Sequence, residues 1–238
     1  LAAATINDGE LSDMLYKYFK TAHDLEILSL PTNQFTNVPQ ILSTRFPKLK
    51  HLDISNNQFL TNFEVTTYPC IENLLITNTG DFAIPKNFLD YLPNITNLTV
   101  RNANLEQIPP LTSKESCVGD LDFSYNKITK LAPGLFLNCS CLEILNLDRN
   151  KLVSFPDGLF GPGSVMVKEL YLRSNKLNSV DSGAFDYLTN LEILYMTENK
   201  LKDFPMEIGK LNSLRKLYLS NNKLSEILDD ALVNLHEI

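Results

Sequence analysis

Residues 167–188 read Val167-Lys168-Glu169-Leu170-Tyr171-Leu172-Arg173-Ser174-Asn175-Lys176-Leu177-Asn178-Ser179-Val180-Asp181-Ser182-Gly183-Ala184-Phe185-Asp186-Tyr187-Leu188. The Leu170-Tyr171-Leu172 core alternates with period two, as a strand with one buried face must. So short a strand cannot bury its apolar side alone, and the stretch therefore predicts a unit that needs neighbours of its own kind.

Those neighbours lie on both sides of it. The pattern L-x-x-L-x-L-x-x-N-x-L returns downstream at Leu191-Leu194-Met196-Asn199-Leu201 and Leu214-Leu217-Leu219-Asn222-Leu224. Upstream it returns at Leu142-Leu145-Leu147-Asn150-Leu152, Val118-Leu121-Phe123-Asn126-Ile128, Leu49-Leu52-Ile54-Asn57-Phe59 and Leu25-Leu28-Leu30-Asn33-Phe35. Two degenerate copies, Ile71-Leu74-Ile76-Thr79 and Ile95-Leu98-Val100-Ala103, lack the Asn, and a faint one runs Leu1-Ala4-Ile6-Gly9-Leu11. Repeats are thus expected to start near residues 1, 25, 49, 71, 95, 118, 142, 167, 191 and 214, at intervals of 22 to 25. A fixed period of this length is the signature of a solenoid. Stacked copies would form one parallel sheet over one continuous core. The Asn column falls at the turn leaving each strand, where an amide can satisfy backbone groups that curve inward. Phe136, Phe160 and Phe185 recur in the return half of the repeat as a second, inward-facing spine.

With Phe185 and Leu188 closing the copy that begins at Val167, the unit resembles the typical-type leucine-rich repeat of animal proteins. Toll-like receptor ectodomains and the secreted leucine-rich-repeat immune proteins of insects, mosquitoes included, are similar to it. The resemblance implies an α/β solenoid, a horseshoe with a parallel sheet on its concave side and mostly irregular chain on its convex side. It implies one domain over residues 1–238, with about ten repeats. Phe204-Pro205-Met206-Glu207-Ile208-Gly209-Lys210-Leu211 departs from it and resembles the intracellular Ras-pathway type of repeat. Neither end carries the cysteine cluster that caps extracellular members, so the chain is expected to be a segment of a longer protein.

Composition narrows the function. The 238 residues carry a formal net charge of −7, which argues against a phosphate backbone or an anionic membrane as the default partner. No apolar run approaches the roughly 18–20 residues that span a bilayer. Leu1-Ala2-Ala3-Ala4-Thr5-Ile6 lacks the basic start of a signal peptide. His23, His51 and His236 stand far apart without partners at metal or triad spacing, and Asp229-Asp230 reads as solvated surface. No glycine loop for phosphate exists. An enzyme is not expected, nor a cofactor or a metal.

Four cysteines are too few for a disulfide scaffold. Cys70, Cys117 and Cys141 each precede a strand start, whereas Cys139 takes an apolar position of the repeat. Cys117 and Cys141 belong to adjacent repeats, whose backbones would run about 5 Å apart, within disulfide reach. A staple, a competing partner in Cys139 and three free turn thiols all remain open. Asn94-Ile95-Thr96, Asn97-Leu98-Thr99 and Asn138-Cys139-Ser140 are glycosylation sequons. Asn94 and Asn138 fall in turns and Asn97 in a strand, on its open face.

The central position of each strand projects from the open face of the sheet. It reads Ser29, Asp53, Leu75, Thr99, Asp122, Asn146, Tyr171, Tyr195 and Tyr218. Three successive tyrosines would stand side by side, offering rigid area and polar tips to a partner, with Arg173 as a donor at their border. The Lys127, Lys151, Lys176, Lys200, Lys223 series merely follows the Asn and reads as a solvated edge. The expectation is a recognition module that takes a protein or pathogen-derived ligand on its concave or lateral surface. It is expected to be extracellular and to serve innate immunity, as a receptor ectodomain or a secreted protein. A cytosolic scaffold that organises signalling enzymes is the alternative.

Overall fold

The computed structural model describes residues 7–19, 22–38 and 40–226. Among them, nine short strands make one sheet: Ile27–Ser29, His51–Asp53, Asn73–Thr77, Asn97–Arg101, Asp120–Asp122, Ile144–Asn146, Glu169–Tyr171, Ile193–Tyr195 and Lys216–Tyr218. Spatial order follows chain order, and all the pairings are parallel. Equivalent repeat positions face each other, so Leu145 sits opposite Leu170 and Leu170 opposite Leu194.

Period-two alternation decides which side is core. Leu52, Leu74, Leu98, Leu121, Leu145, Leu170 and Leu194 are at most 1% exposed, while their strand neighbours stay partly open. Burying one such side chain contributes roughly 1.5–3 kcal/mol, so the column drives the stacking. The return half of each repeat is largely irregular. It contains the five-residue helix Ile41–Arg45 and the 3-10 turns Phe88–Tyr91, Pro162–Met166 and Met206–Lys210. Beneath it Phe136 stacks on Phe160 with ring centroids 5.5 Å apart, and Phe155 meets Phe185 at 5.6 Å. The aromatic spine thus includes Phe155 in addition to the three residues that the period identifies.

The Asn column ties one repeat to the next. Asn175 donates from Nδ2 to the carbonyls of Leu172 in its own repeat (3.2 Å) and Leu147 in the preceding one (2.9 Å). Its Oδ1 accepts the Leu152 N–H at 3.1 Å. Asn57, Asn126, Asn150, Asn199 and Asn222 repeat the arrangement. Thr79 and Ala103 interrupt it, and the buried Thr79 hydroxyl has no hydrogen-bond partner among the described residues. Next to that gap Gly80 lies against the previous repeat, where a β-carbon would come within 2.5 Å of the Gln58 carbonyl oxygen.

The faint first copy is corrected at its end alone. Leu1, Ala4 and Ile6 lie outside the described residues, and Gly9 and Leu11 belong to the helix Asp8–Tyr18. The cause is a local capping box: Asn7 Oδ1 accepts the Glu10 N–H, and Glu10 Oε2 accepts the Asn7 N–H, both at 3.0 Å. Reciprocal capping satisfies the donors at a helix start. His236, Asp229 and Asp230 also lie outside the described residues.

Candidate functional site

Tyr171, Tyr195 and Tyr218 are register partners on three neighbouring strands. In-register parallel strands lie about 4.8 Å apart, close to the stacking distance of aromatic rings. The Tyr171 and Tyr195 rings lie 5.0 Å apart and 10° from parallel, and Tyr195 and Tyr218 4.1 Å apart and 2° from parallel. The rings remain partly exposed, Tyr218 most of all at 39%. The hydroxyls of Tyr171 and Tyr195 are held protonated. Burial and a hydrogen bond donated to Glu169 raise the Tyr171 phenol well above its ordinary range. A hydrogen bond with the Tyr218 hydroxyl, then burial, raises that of Tyr195.

Arg173 follows the first of these strands and is exposed. Its guanidinium already pairs with Glu198 at 3.0 Å, and its backbone N–H donates to Asp148 Oδ1 at 2.6 Å. Glu198, which also accepts the Ser174 hydroxyl, has its pKa lowered by that hydrogen bond first and by Arg173 second. Both members of the Arg173–Glu198 pair are well exposed, so solvent screens it and Arg173 is readily exchanged to an outside carboxylate. Asp148 behaves differently. Burial pushes its carboxyl up to about 6, Arg173 pulls it down, and Asp122 adds to the rise. Asp120 is likewise raised, by burial first and then by Glu143 and Glu169. The tyrosine rings are therefore bordered by acid on the side of the preceding repeats. Asp148, Glu169 and Glu198 are the border residues that sequence reasoning missed: Asp148 and Glu198 lie beyond their strand ends, and Glu169 opens its strand two residues before Tyr171, outside the central column.

Cys117 and Cys141 are joined by a disulfide, with Cα atoms 4.6 Å apart. Cys139 is buried and its thiol is pushed up to about 12 by that burial, while Cys70 is a half-buried free thiol. The three sequon asparagines differ in access. Asn138 is exposed and makes no side-chain hydrogen bond among the described residues. Asn94 is exposed too, but its Nδ2 donates to the Pro69 carbonyl at 2.6 Å. Asn97 is half-buried, its amide held between Asn73 and Asp120. His23 and His51 stand on separate turns of the solenoid, and no described helix is long and apolar enough to cross a membrane.

The repeat has counterparts in known proteins. A leucine rich repeat model matches residues 93–152 and 166–224, half of the chain, and a second such model matches residues 48–74. The chain belongs to the leucine-rich-repeat family. Keratocan of Coturnix japonica is 26% identical over 174 residues, a match covering 62% of this leucine-rich-repeat chain and 48% of keratocan. The chain thus spans about half the length of that relative. Among solved structures, a chain of the octameric complex of Latrophilin 3, Unc5D and FLRT2 superposes with a TM-score of 0.78 at 18% identity, covering 98% of this chain and 70% of the other. Toll–Spatzle of Drosophila gives a TM-score of 0.78 at 20% identity, covering 91% and 31%. At these identities the two structures establish the leucine-rich-repeat solenoid fold.

Proposed function

We propose that this chain is an extracellular recognition module that binds a protein partner, without catalysis, on the open face of its parallel sheet. The observation that carries the proposal is the stack of Tyr171, Tyr195 and Tyr218. Three rings fixed by neighbouring strands offer an amphipathic surface that loses little side-chain entropy on binding. Arg173 borders the stack and can trade Glu198 for a partner carboxylate, which sets orientation.

The extracellular assignment rests on other residues. A Cys117–Cys141 bond persists in an oxidising compartment, and Asn138 is an open acceptor for a glycan. Asn94 is the second acceptor, and Asn97 is the least accessible of the three. A role in innate immunity, as receptor ectodomain or secreted protein, is proposed by analogy with Toll, which forms with Spatzle a hub in Drosophila development and innate immunity. A single domain of about ten repeats, within a longer protein, remains part of the proposal. The Phe204–Leu211 repeat favours the second reading, a cytosolic scaffold.

Glycopeptide and thiol mapping of the natural protein separates the two. The extracellular reading expects a glycan at Asn138 and a Cys117–Cys141 bond, with Cys70 and Cys139 as thiols. Bare asparagines with four free thiols would establish the scaffold instead.

A further inference from the structure

Away from the tyrosine column, Arg101 and Arg149 both stack on the ring of Tyr125. The guanidinium carbon of Arg101 lies 4.3 Å from the ring centroid and that of Arg149 lies 5.0 Å from it. One arginine comes from the repeat before Tyr125 and the other from the repeat after. All three side chains are exposed, and neither arginine forms an ion pair among the described residues. Arg173 and Arg215, by contrast, both have carboxylate partners. Two like charges held this close repel one another, and the electron-rich ring offsets only part of the repulsion.

In all nine repeats of the sheet, the residue before the Asn-column position has a φ between 50° and 59°. This left-handed conformation suits Asn, which occupies the position at 56, 78, 102 and 221. Tyr125 and Arg149 hold it at 59° and 54° despite bulky side chains. Thr32, Ser174 and Glu198 hold it in the remaining repeats, so the conformation belongs to the whole column and fixes where Tyr125 and Arg149 leave the chain. An open hollow lined by Thr77, Asn78 and Asn102 adjoins Arg101 and Tyr125.

We propose that Arg101, Tyr125 and Arg149 form a receiving site for the carboxylate side chains of an acidic polypeptide segment. Guanidinium groups hold carboxylates through paired hydrogen bonds, and an incoming carboxylate relieves the repulsion between the two cations. The surroundings select the kind of anion. Asp148 and Glu198 lie within electrostatic reach of Arg149, so a long, uniformly charged polyanion crossing the stack meets repulsion at once. A segment with one or two carboxylates among neutral residues reaches the cations while setting fewer charges against these acids. The inference rests on the reading of the chain as a protein-binding module but not on the tyrosine column, so each can fail alone.

The test follows the arginine Nε–Hε signals by NMR at low ionic strength during titration with the peptide acetyl-Gly-Glu-Gly-Glu-Gly-amide. The Arg101 and Arg149 signals are expected to shift together and saturate, and the glutamine version of the peptide to leave them in place. Arg101→Gln should weaken the peptide by about fivefold. Arg149→Lys, which keeps the charge but loses the planar fork, gives the same reading if the first variant fails to fold. Tyr195→Ala should leave the titration unchanged. Signals that stay put, or an equal response in the arginine variants, would overturn the proposal. So would loss of peptide binding on Tyr195→Ala, or a heparin hexasaccharide that saturates the stack at lower concentration than the peptide.

Discussion

Asn150 Nδ2 donates to the carbonyl of Phe123, 3.0 Å away and 27 residues earlier in the chain. The same side chain accepts the Ile128 N–H at 3.0 Å and donates to Leu147 of its own strand exit at 3.1 Å. One buried amide therefore serves backbone groups of two successive repeats that no sheet ladder reaches. Asn150→Ala leaves them unpaired, and the expected loss of stability is roughly 1–3 kcal/mol. Denaturant unfolding checks this; an unchanged midpoint would show that the column does not hold the repeats together.

The gaps in that column predict a difference in local opening. Leu152 N–H is bonded to Asn175 and Leu177 N–H to Asn199. The equivalent amides of Phe59 and Asp81 face Thr79 and Ala103 and have no such acceptor, and they make no hydrogen bond among the described residues. Hydrogen exchange at Phe59 and Asp81 should be much faster than at Leu152 and Leu177. Equal protection would mean that the backbone is satisfied in another way near Gly80.

The period of the sequence reaches what depends on equivalent positions. The strands, the buried Leu column, the Asn column and the register of Tyr171 with Tyr195 all follow from counting, because parallel in-register strands bring equal positions together. Contacts that break equivalence were not legible. Arg101 ends a strand, whereas Tyr125 and Arg149 sit one position further along their repeats, so their stack belongs to no single column. Arg173 was legible as a donor, but its engagement with Glu198, which likewise lies off its column, was not. The helix Asp8–Tyr18 was hidden for another reason. Its signal is the capping pair Asn7 and Glu10, which a search for a leucine period does not register.

Asp148 should make stability depend on pH. Its folded-state pKa, pushed up to about 6, exceeds the unfolded value near 3.9, so the native state binds the proton more tightly. Its contribution is therefore most favourable below about pH 4 and is lost as pH rises through about 6. Asp148→Asn keeps the oxygen that accepts the Arg173 N–H and removes the charge. The variant should gain roughly 1 kcal/mol at neutral pH, after allowance for screening of this partly exposed group, and nothing below about pH 4. Melting curves of both proteins across this range check the sign, and a variant destabilised at neutral pH would contradict it.

The tyrosine face is the central claim, and Tyr195 is its middle member, stacked on both sides. Truncating it removes two ring contacts, so a loss of about 1 kcal/mol in stability is expected even though the ring lies outside the core. The decisive measurement is the affinity of the folded variant for a protein partner, set beside that of Lys200→Ala on the neighbouring solvated edge. Tyr195→Ala should weaken binding by more than about 1 kcal/mol, the usual threshold for a hot spot, and Lys200→Ala should leave it unchanged. Unaltered affinity in the tyrosine variant, or equal losses in both, would contradict the assignment of the binding surface to this face.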